Sequence, residues 1–429
     1  MGVLGCRPLS PASRAPASVK TMDKPLYDPF SAEILDDPHP VYRRLREEAP
    51  VYWLEEYDSW ALSRFDDIWD GSQDPGTYRS GDGPGLQILR REMPPEMAEF
   101  AETAFADERE SLFSMNPPGH TGLRSQISGF FTPGRIRKME AGIREYVREC
   151  VQKMLPQGRA DVIDDLASRL AVRVTCMVAG LPLEDADFLR GIVARYFARQ
   201  PEVQGMPPDA FAAMLELRTY LEAAVADKRA GRNDRQGVLA ALCGAEVDGQ
   251  PLTDSQVGAQ LSTLVVGGTE TLPKVFAGGI LQLARHPDQR ALLVKEPGRI
   301  PDAFTEIARM EMPTNFLART LARDVSLHGE KLREGHGVLF LYRSANRDPR
   351  EFPDPDRFDV DRRPPRILSF GHGTHVCLGQ WVARLEGRVM LEELLREIPD
   401  YQVDEEAVVP ARSDFVAGYL EMPITFEPR

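Results

Sequence analysis

The stretch from Thr253 to Arg285 restricts the possible folds more than any other part of the chain. Thr253-Asp-Ser-Gln256 has the form of a capping box, and the apolar helical pattern then continues to Arg285, just before Pro287. At roughly 1.5 Å per residue, about 32 residues make a helix near 48 Å long, enough to cross an entire domain. Other elements must therefore be arranged around it. Its centre reads Gly267-Gly268-Thr269-Glu270-Thr271, two glycines, an acid and two alcohols in an otherwise apolar run. Each glycine costs about 1 kcal/mol relative to alanine. One explanation places Glu270 and Thr271 on a solvated face, with the glycines allowing close helix packing. Pro273 cannot donate to the carbonyl of Thr269 and its ring crowds that carbonyl, so the sequence predicts a kink there.

Most of the chain between 130 and 310 carries apolar residues at three- and four-residue spacing, broken by Pro and Gly. Short β-rich runs, Val51-Tyr52-Trp53-Leu54, Trp60-Ala61-Leu62 and Gly337-Val338-Leu339-Phe340-Leu341, predict small strands. The expected class is mainly α with small β-sheets. No Gly/Ser linker or internal repeat divides the chain, so residues 25–429 are expected to form a single domain behind a disordered tail at 1–24. Residues 1–21 lack Asp and Glu and lack the apolar core of a signal peptide, and translation from Met22 is an alternative start. Residues 80–115 begin Gly-Asp-Gly-Pro-Gly and suggest a mobile cover. Gly81, Gly83 and Gly85 lack the preceding strand and the spacing of a phosphate loop.

The formal net charge of −14 argues against a nucleic-acid partner. No run of about 18 apolar residues occurs, so no membrane span is expected. Five scattered cysteines do not resemble a disulfide framework, which points to the cytoplasm. Against the acidic background, Arg124, Arg135, Arg137, Lys138, Arg384 and Arg388 could form a local basic patch.

The most informative segment is Phe370-Gly-His-Gly-Thr-His-Val-Cys377-Leu-Gly379, followed by Gln-Trp-Val-Ala-Arg-Leu-Glu386. Leu378, Val382, Leu385 and Val389 share one helical face, which puts Cys377 at a helix N-terminus. Free N–H groups and the helix dipole there stabilise a thiolate, the form that binds metals. Gly371, Gly373 and Gly379 leave room for a flat ligand. A buried structural cysteine is one alternative. Zinc is another, through His372, His375 and Cys377, but no fourth ligand stands at a recognisable spacing.

This segment strongly resembles the heme-binding loop of the cytochrome P-450 monooxygenases, Phe-Gly-x-Gly-x-x-x-Cys-x-Gly, and matches every fixed position. The resemblance implies a triangular helical prism around a buried heme b, with Cys377 as the axial iron ligand and Phe370, Gly371 and Gly379 beside it. The centre of the long helix is similar to the family's Ala/Gly-Gly-x-Glu/Asp-Thr signature. By that likeness Thr271 hydrogen-bonds the oxygen on the iron and Glu270 relays protons. Leu272 stands where many members have a second threonine.

Glu306-Ile-Ala-Arg309 resembles the family's Glu-x-x-Arg pair, which an arginine from a later loop completes, expected here to be Arg357. Asn116-Pro-Pro-Gly-His120-Thr-Gly-Leu-Arg124 resembles a further family segment, with Asn116 in place of Asp. With Arg319 and His375, His120 and Arg124 are implied to hold the two heme propionates, since a buried dianionic edge needs cationic or N–H donors. Val265, Val266, Gly268, Thr314, Asn315, Phe316, Phe415 and Val416 are candidate substrate-pocket residues.

The resemblance, over about residues 25–429, implies oxidation of a small hydrophobic substrate such as a terpenoid, steroid or aromatic. It would use O2 and electrons from a ferredoxin or flavodoxin with its NAD(P)H-dependent reductase. Two other functions are compatible with such a site: a peroxide-driven heme oxidase, and a non-catalytic heme-binding sensor.

Overall fold

A computed structural model describes residues 26–81, 83, 85, 111–199, 207–413 and 415–429. The tail at 1–24 lies outside the described residues, as does most of the expected cover at 80–115. The capping box forms as expected. Thr253 Oγ1 accepts from the Gln256 N–H at 3.1 Å, and Gln256 Oε1 accepts from the Thr253 N–H at 3.0 Å. The helices that build the site are α1 (Phe65–Gln73), α2 (Gly119–Ser128), α3 (Pro133–Arg137), α4 (Ser168–Ala179), α5 (Ala186–Phe197), α6 (Pro208–Arg229), α7 (Asp254–Arg285), α8 (Ile300–Met310) and α9 (Gln380–Glu397). The helix α7 continues through Pro273 without a break. Pro273 supplies no N–H for the Thr269 carbonyl, yet it does not end the helix.

Around α7 pack α4, α5, α6, α8 and α9. Such crowding needs small residues at the contacts. A Cβ on Gly278 would lie 2.5 Å from Glu311 Oε2, and one on Gly279 would lie 2.7 Å from Ile307 Cγ2. One on Gly387 of α9 would overlap the ring of Phe304 on α8. A continuous apolar core runs through these helices, and two smaller clusters flank a sheet. That sheet comprises β1 (Val51–Leu54), β2 (Ser59–Leu62), β3 (Tyr78–Arg79), β4 (Leu317–Leu321) and β5 (Gly337–Phe340), in the order β1-β2-β5-β4-β3. Only β2 and β5 pair in parallel. A C-terminal hairpin, β6 (Val409–Ala411) and β7 (Gly418–Glu421), lies with β7 against α7. The fold is thus helix-rich with small sheets. No helix among the described residues is long and apolar enough to cross a membrane.

Glu306 and Arg309 form a bidentate pair, both contacts at 2.7 Å, with neither side chain exposed. The arginine completing it is Arg362, not Arg357. Arg362 Nε donates to Glu306 Oε1 at 2.9 Å, whereas Arg357 is exposed and contributes its backbone carbonyl to Arg362. A left-handed turn at Asp354, φ 48°, closed by the Arg357 N–H on the Asp354 carbonyl, directs the later arginine inward. Removing one partner of a buried pair costs about 3–5 kcal/mol, so Glu306→Ala should lower the denaturant-measured stability by that order. Arg357→Ala should change it by less than about 0.5 kcal/mol, as surface substitutions do.

Candidate active site

The cysteine loop is built by backbone closure. The Cys377 N–H donates to the Phe370 carbonyl at 2.7 Å and the Gly371 N–H to the Leu368 carbonyl at 2.9 Å. Gly371 and Gly373 have φ of 64° and 68°. Gly373 is further constrained, because a Cβ there would overlap the Ser72 carbonyl of α1. The His372 ring stacks on Trp69 of the same helix, centroids 3.5 Å apart and planes 13° apart. The loop is therefore clamped onto α1. Helix α9 starts at Gln380, so Cys377 lies just ahead of it, in the turn that feeds the helix.

The Cys377 sulfur lies deep among protein atoms yet opens onto free space. Burial pushes its thiol up, and the Gly379 N–H and the Arg124 guanidinium pull it partly back. The zinc arrangement does not assemble. His372 lies on Trp69 and His375 lies against His120, and no group of three His, Cys, Asp or Glu suited to a metal occurs among the described residues.

Four cationic or N–H groups surround this space. His120, on α2, is fully buried with neither ring nitrogen partnered. His375 lies 4.2 Å away, centroid to centroid, with Nε2 unpartnered. Burial, then neighbouring charge, pulls His120 down to about 4 and His375 to about 3. Arg124 donates to the Val376 carbonyl, next to Cys377, and Arg319, on β4, is buried and donates to the Ala318 carbonyl at 2.7 Å. Buried N–H groups without acceptors are uncommon in native proteins and call for one. This donor set, together with an accessible sulfur and side-chain-free positions in its loop, fits a flat macrocycle with two anionic arms.

The middle of α7 keeps surface along a strip that includes Thr263, Val266, Gly267 and Thr271, of which only Gly267 is exposed, and the Glu270 side chain beside it is 13% exposed. Gly267 is exposed, and nothing lies within 4 Å of where its Cβ would be. Thr271 Oγ1 donates to the Gly267 carbonyl at 3.1 Å. Glu270 accepts from Lys274 Nζ at 2.7 Å. Burial pushes the Glu270 carboxyl up, and Lys274 and Arg199 pull it back.

Some expected pocket residues are corrected. Val265 and Phe316 are packed into the protein core, at 0% and 2% exposure. Gly268 keeps partial surface, although a side chain there would meet Thr175 of α4. Segments 313–316 and 415–417 do come together, with Ser413 also reaching Asn315. Thr314 bridges Val416, the Asn315 N–H donates to the Phe415 carbonyl at 3.0 Å, and the Ala417 N–H to the Pro313 carbonyl at 2.8 Å. That pairing buries Val416 and ties Asn315 Nδ2 to the Ser413 carbonyl, leaving both occupied by protein. Val266, Thr314 and Phe415 keep open surface. Thr263 and Gly267 were missed, although they lie eight and four residues before Thr271, on its helical face.

The basic patch is smaller than expected. Arg135, Arg137 and Lys138 are exposed at the end of α3, but Arg384 donates to Thr305 and covers the Phe370 ring, and Arg388 pairs with Glu140 and Glu392. Trp381, which the sequence did not single out, is 44% exposed at the start of α9.

A family model described as Cytochrome P450 matches residues 209–407. A "Putative cytochrome P450 123" from Mycobacterium tuberculosis is 35% identical over 94% of this chain and 97% of its own length. A "Methyl-branched lipid omega-hydroxylase" from the same organism is 32% identical over 90% of each chain. The crystal structure of CalO2 superposes with a TM-score of 0.81 at 29% identity, covering 94% of this chain and 99% of its own.

Two consequences can be measured. Gly373→Ala adds a methyl against the Ser72 carbonyl at a left-handed position, so it should lower the melting temperature and the cofactor bound per chain. Glu386, on α9, is 3% exposed with Oε1 unpartnered, and burial alone raises it well above the ordinary 4.5. An acid raised in the folded state contributes stability below its unfolded value that is lost as pH rises. The stability advantage of Glu386→Gln over the parent should therefore be near zero below about pH 4.3 and grow toward pH 8 in denaturant titrations.

Proposed function

The chain belongs to the cytochrome P450 family and is a heme b monooxygenase, and from that premise we propose that it oxidises a small hydrophobic molecule at a site held by Cys377. The observation that carries this assignment is the loop closed on Phe370, which presents an accessible sulfur beneath side-chain-free backbone. When bound, the heme supplies dioxygen activation, with thiolate ligation favouring O–O cleavage.

The chain's own groups have separate tasks in this proposal. His120, Arg124, Arg319 and His375 bind the propionates. Arg124 adds a positive charge near the sulfur, favouring the thiolate. Phe370 carries the ring on which Arg384 lies and accepts the Cys377 N–H, fixing the sulfur's direction. Gly379 donates its N–H to that sulfur. Thr271 presents its hydroxyl beside the open Gly267, and Glu270 supplies protons to it. Glu306, Arg309 and Arg362 fix the segment 353–362 that precedes the cysteine loop. We read 25–429 as one domain, since α4, α5, α6, α8 and α9 pack around α7 within one continuous core.

The substrate class is apolar and elongated. The strip of α7 that keeps surface offers Thr263, Val266 and Gly267, which carry no charge, and a relative of similar length is named as acting on a methyl-branched lipid. Electrons come from a separate ferredoxin or flavodoxin with its reductase. Arg135, Arg137, Lys138 and exposed Trp381 form a small basic and aromatic surface near the start of α9, suited to an acidic carrier. The four cysteines among the described residues form no disulfide, which supports work in the reducing cytoplasm.

The reduced carbonyl complex should show the red-shifted Soret band of thiolate ligation, and Cys377→Ser should abolish it. An unshifted band in the parent would overturn the assignment. Thr271→Ala should leave heme reduction intact while product formed per O2 consumed falls, toward about 100-fold if the hydroxyl contributes as proton-transfer groups commonly do. Saturated and methyl-branched fatty acids, steroids and small aromatics, titrated while the ferric Soret band is followed, would rank the substrate classes.

A further inference from the structure

Lys274 stands one helical turn beyond Glu270, is 6% exposed, and places Nζ 2.7 Å from the Glu270 carboxylate. Thr271 turns the other way along the same helix, its hydroxyl donating to the Gly267 carbonyl at 3.1 Å. The acid and the alcohol are therefore engaged in opposite directions, the acid toward the C-terminus of α7 and the alcohol toward its N-terminus. A direct proton transfer between them therefore requires the carboxyl to turn from the lysine toward the hydroxyl, whose lone pairs remain free to accept.

The surroundings determine which one moves. Gly418, φ 133°, lies on the stem of Lys274, and a Cβ there would be 2.7 Å from Lys274 Cβ and 3.2 Å from Cγ. The strand that carries Gly418 continues back into residues 415–417, hydrogen-bonded to Pro313 and Asn315. Lys274 is thus covered from outside along its stem, whereas Glu270 adjoins the exposed Gly267 and has the freer space to turn into. The charged groups acting on Glu270 are Lys274, from its own helix, and Arg199, from the segment after α5. From the hairpin, Tyr419 also lies near α7, and burial keeps its phenol un-ionised. Glu311 packs against Gly278 and Gln282, two turns further along.

We propose that Lys274 is a positioning residue that holds Glu270 ionised and turned away from Thr271 until a proton from solvent neutralises the carboxylate and frees it to move. The freed acid gives that proton to the Thr271 hydroxyl side and returns to Lys274 as an anion, so each cycle carries one proton inward and leaves the pair unchanged. This role rests on the assignment of Glu270 and Thr271 as the proton relay.

The test compares heme-loaded Lys274→Met, Lys274→Arg, Gly418→Ala and Glu270→Gln with the parent, after checking that each binds heme. In Lys274→Met the Glu270 carboxyl should be protonated at neutral pH. It should give a carboxylic-acid infrared band that is absent in the parent and lost again in the Glu270→Gln/Lys274→Met double variant. The pH at which product per O2 titrates should rise by about one unit or more, the scale on which a lost counter-ion moves a buried acid. Lys274→Arg should restore both readouts. Gly418→Ala, which displaces the lysine stem without removing its charge, should shift them in the same direction by less. An absent band in Lys274→Met, or an unmoved pH profile while Glu270→Gln alone changes coupling, overturns the role of Lys274. If Glu270→Gln leaves coupling untouched, the relay itself is wrong and the role of Lys274 falls with it.

Discussion

The fold depends on how closely its helices can approach α7. A helix of 32 residues that is apolar on nearly every side must be enclosed by other elements, and that enclosure is tight only where side chains are missing. Gly268 admits Thr175, Gly278 admits Glu311, and Gly279 admits Ile307. Gly387 does the same between α8 and α9, bringing the helix that follows the cysteine against the one carrying Glu306 and Arg309. The packing that makes the core thus also fixes where the cysteine loop sits, because α9 begins where that loop ends.

The site combines two kinds of order. The cysteine loop is over-determined by backbone hydrogen bonds, two left-handed glycines, and a stacked Trp69–His372 pair. The groups around the space it borders are left incomplete, with three histidine nitrogens buried and unpartnered and an acid ionically tied to a lysine. Rigidity in the loop and unmet polar demand around it are what a site needs in order to hold a large charged prosthetic group in one orientation.

Local chemistry was legible in the sequence. The capping box at Thr253, the strands at 51–54 and 337–340, and the turn-forming glycines before Cys377 all follow from interactions among near neighbours. The Glu270–Lys274 pair was also there to be read, as opposite charges four apart on a helix. What remained hidden depended on direction. Arg362 rather than Arg357 reaches Glu306 because a left-handed Asp354 turns the segment, and spacing alone does not reveal such a reversal. Val265 and Val266 are adjacent and equally apolar, yet one is sealed in the core while the other keeps open surface, since successive helical residues point about 100° apart. The partial burial of the basic residues has the same origin, as Arg384 and Arg388 find partners on neighbouring elements.

Gly267 differs from the other glycines of α7 in what its missing side chain leaves behind. At 268, 278 and 279 the absent atoms are replaced by a neighbouring helix, whereas at 267 they are replaced by nothing. Bulk introduced at this point would subtract from the volume open to a ligand without pushing any helix aside. If Gly267 borders the substrate as proposed, the breadth of molecules accepted is separable from folding at this position, and the range could be narrowed or widened here while the scaffold stays as it is.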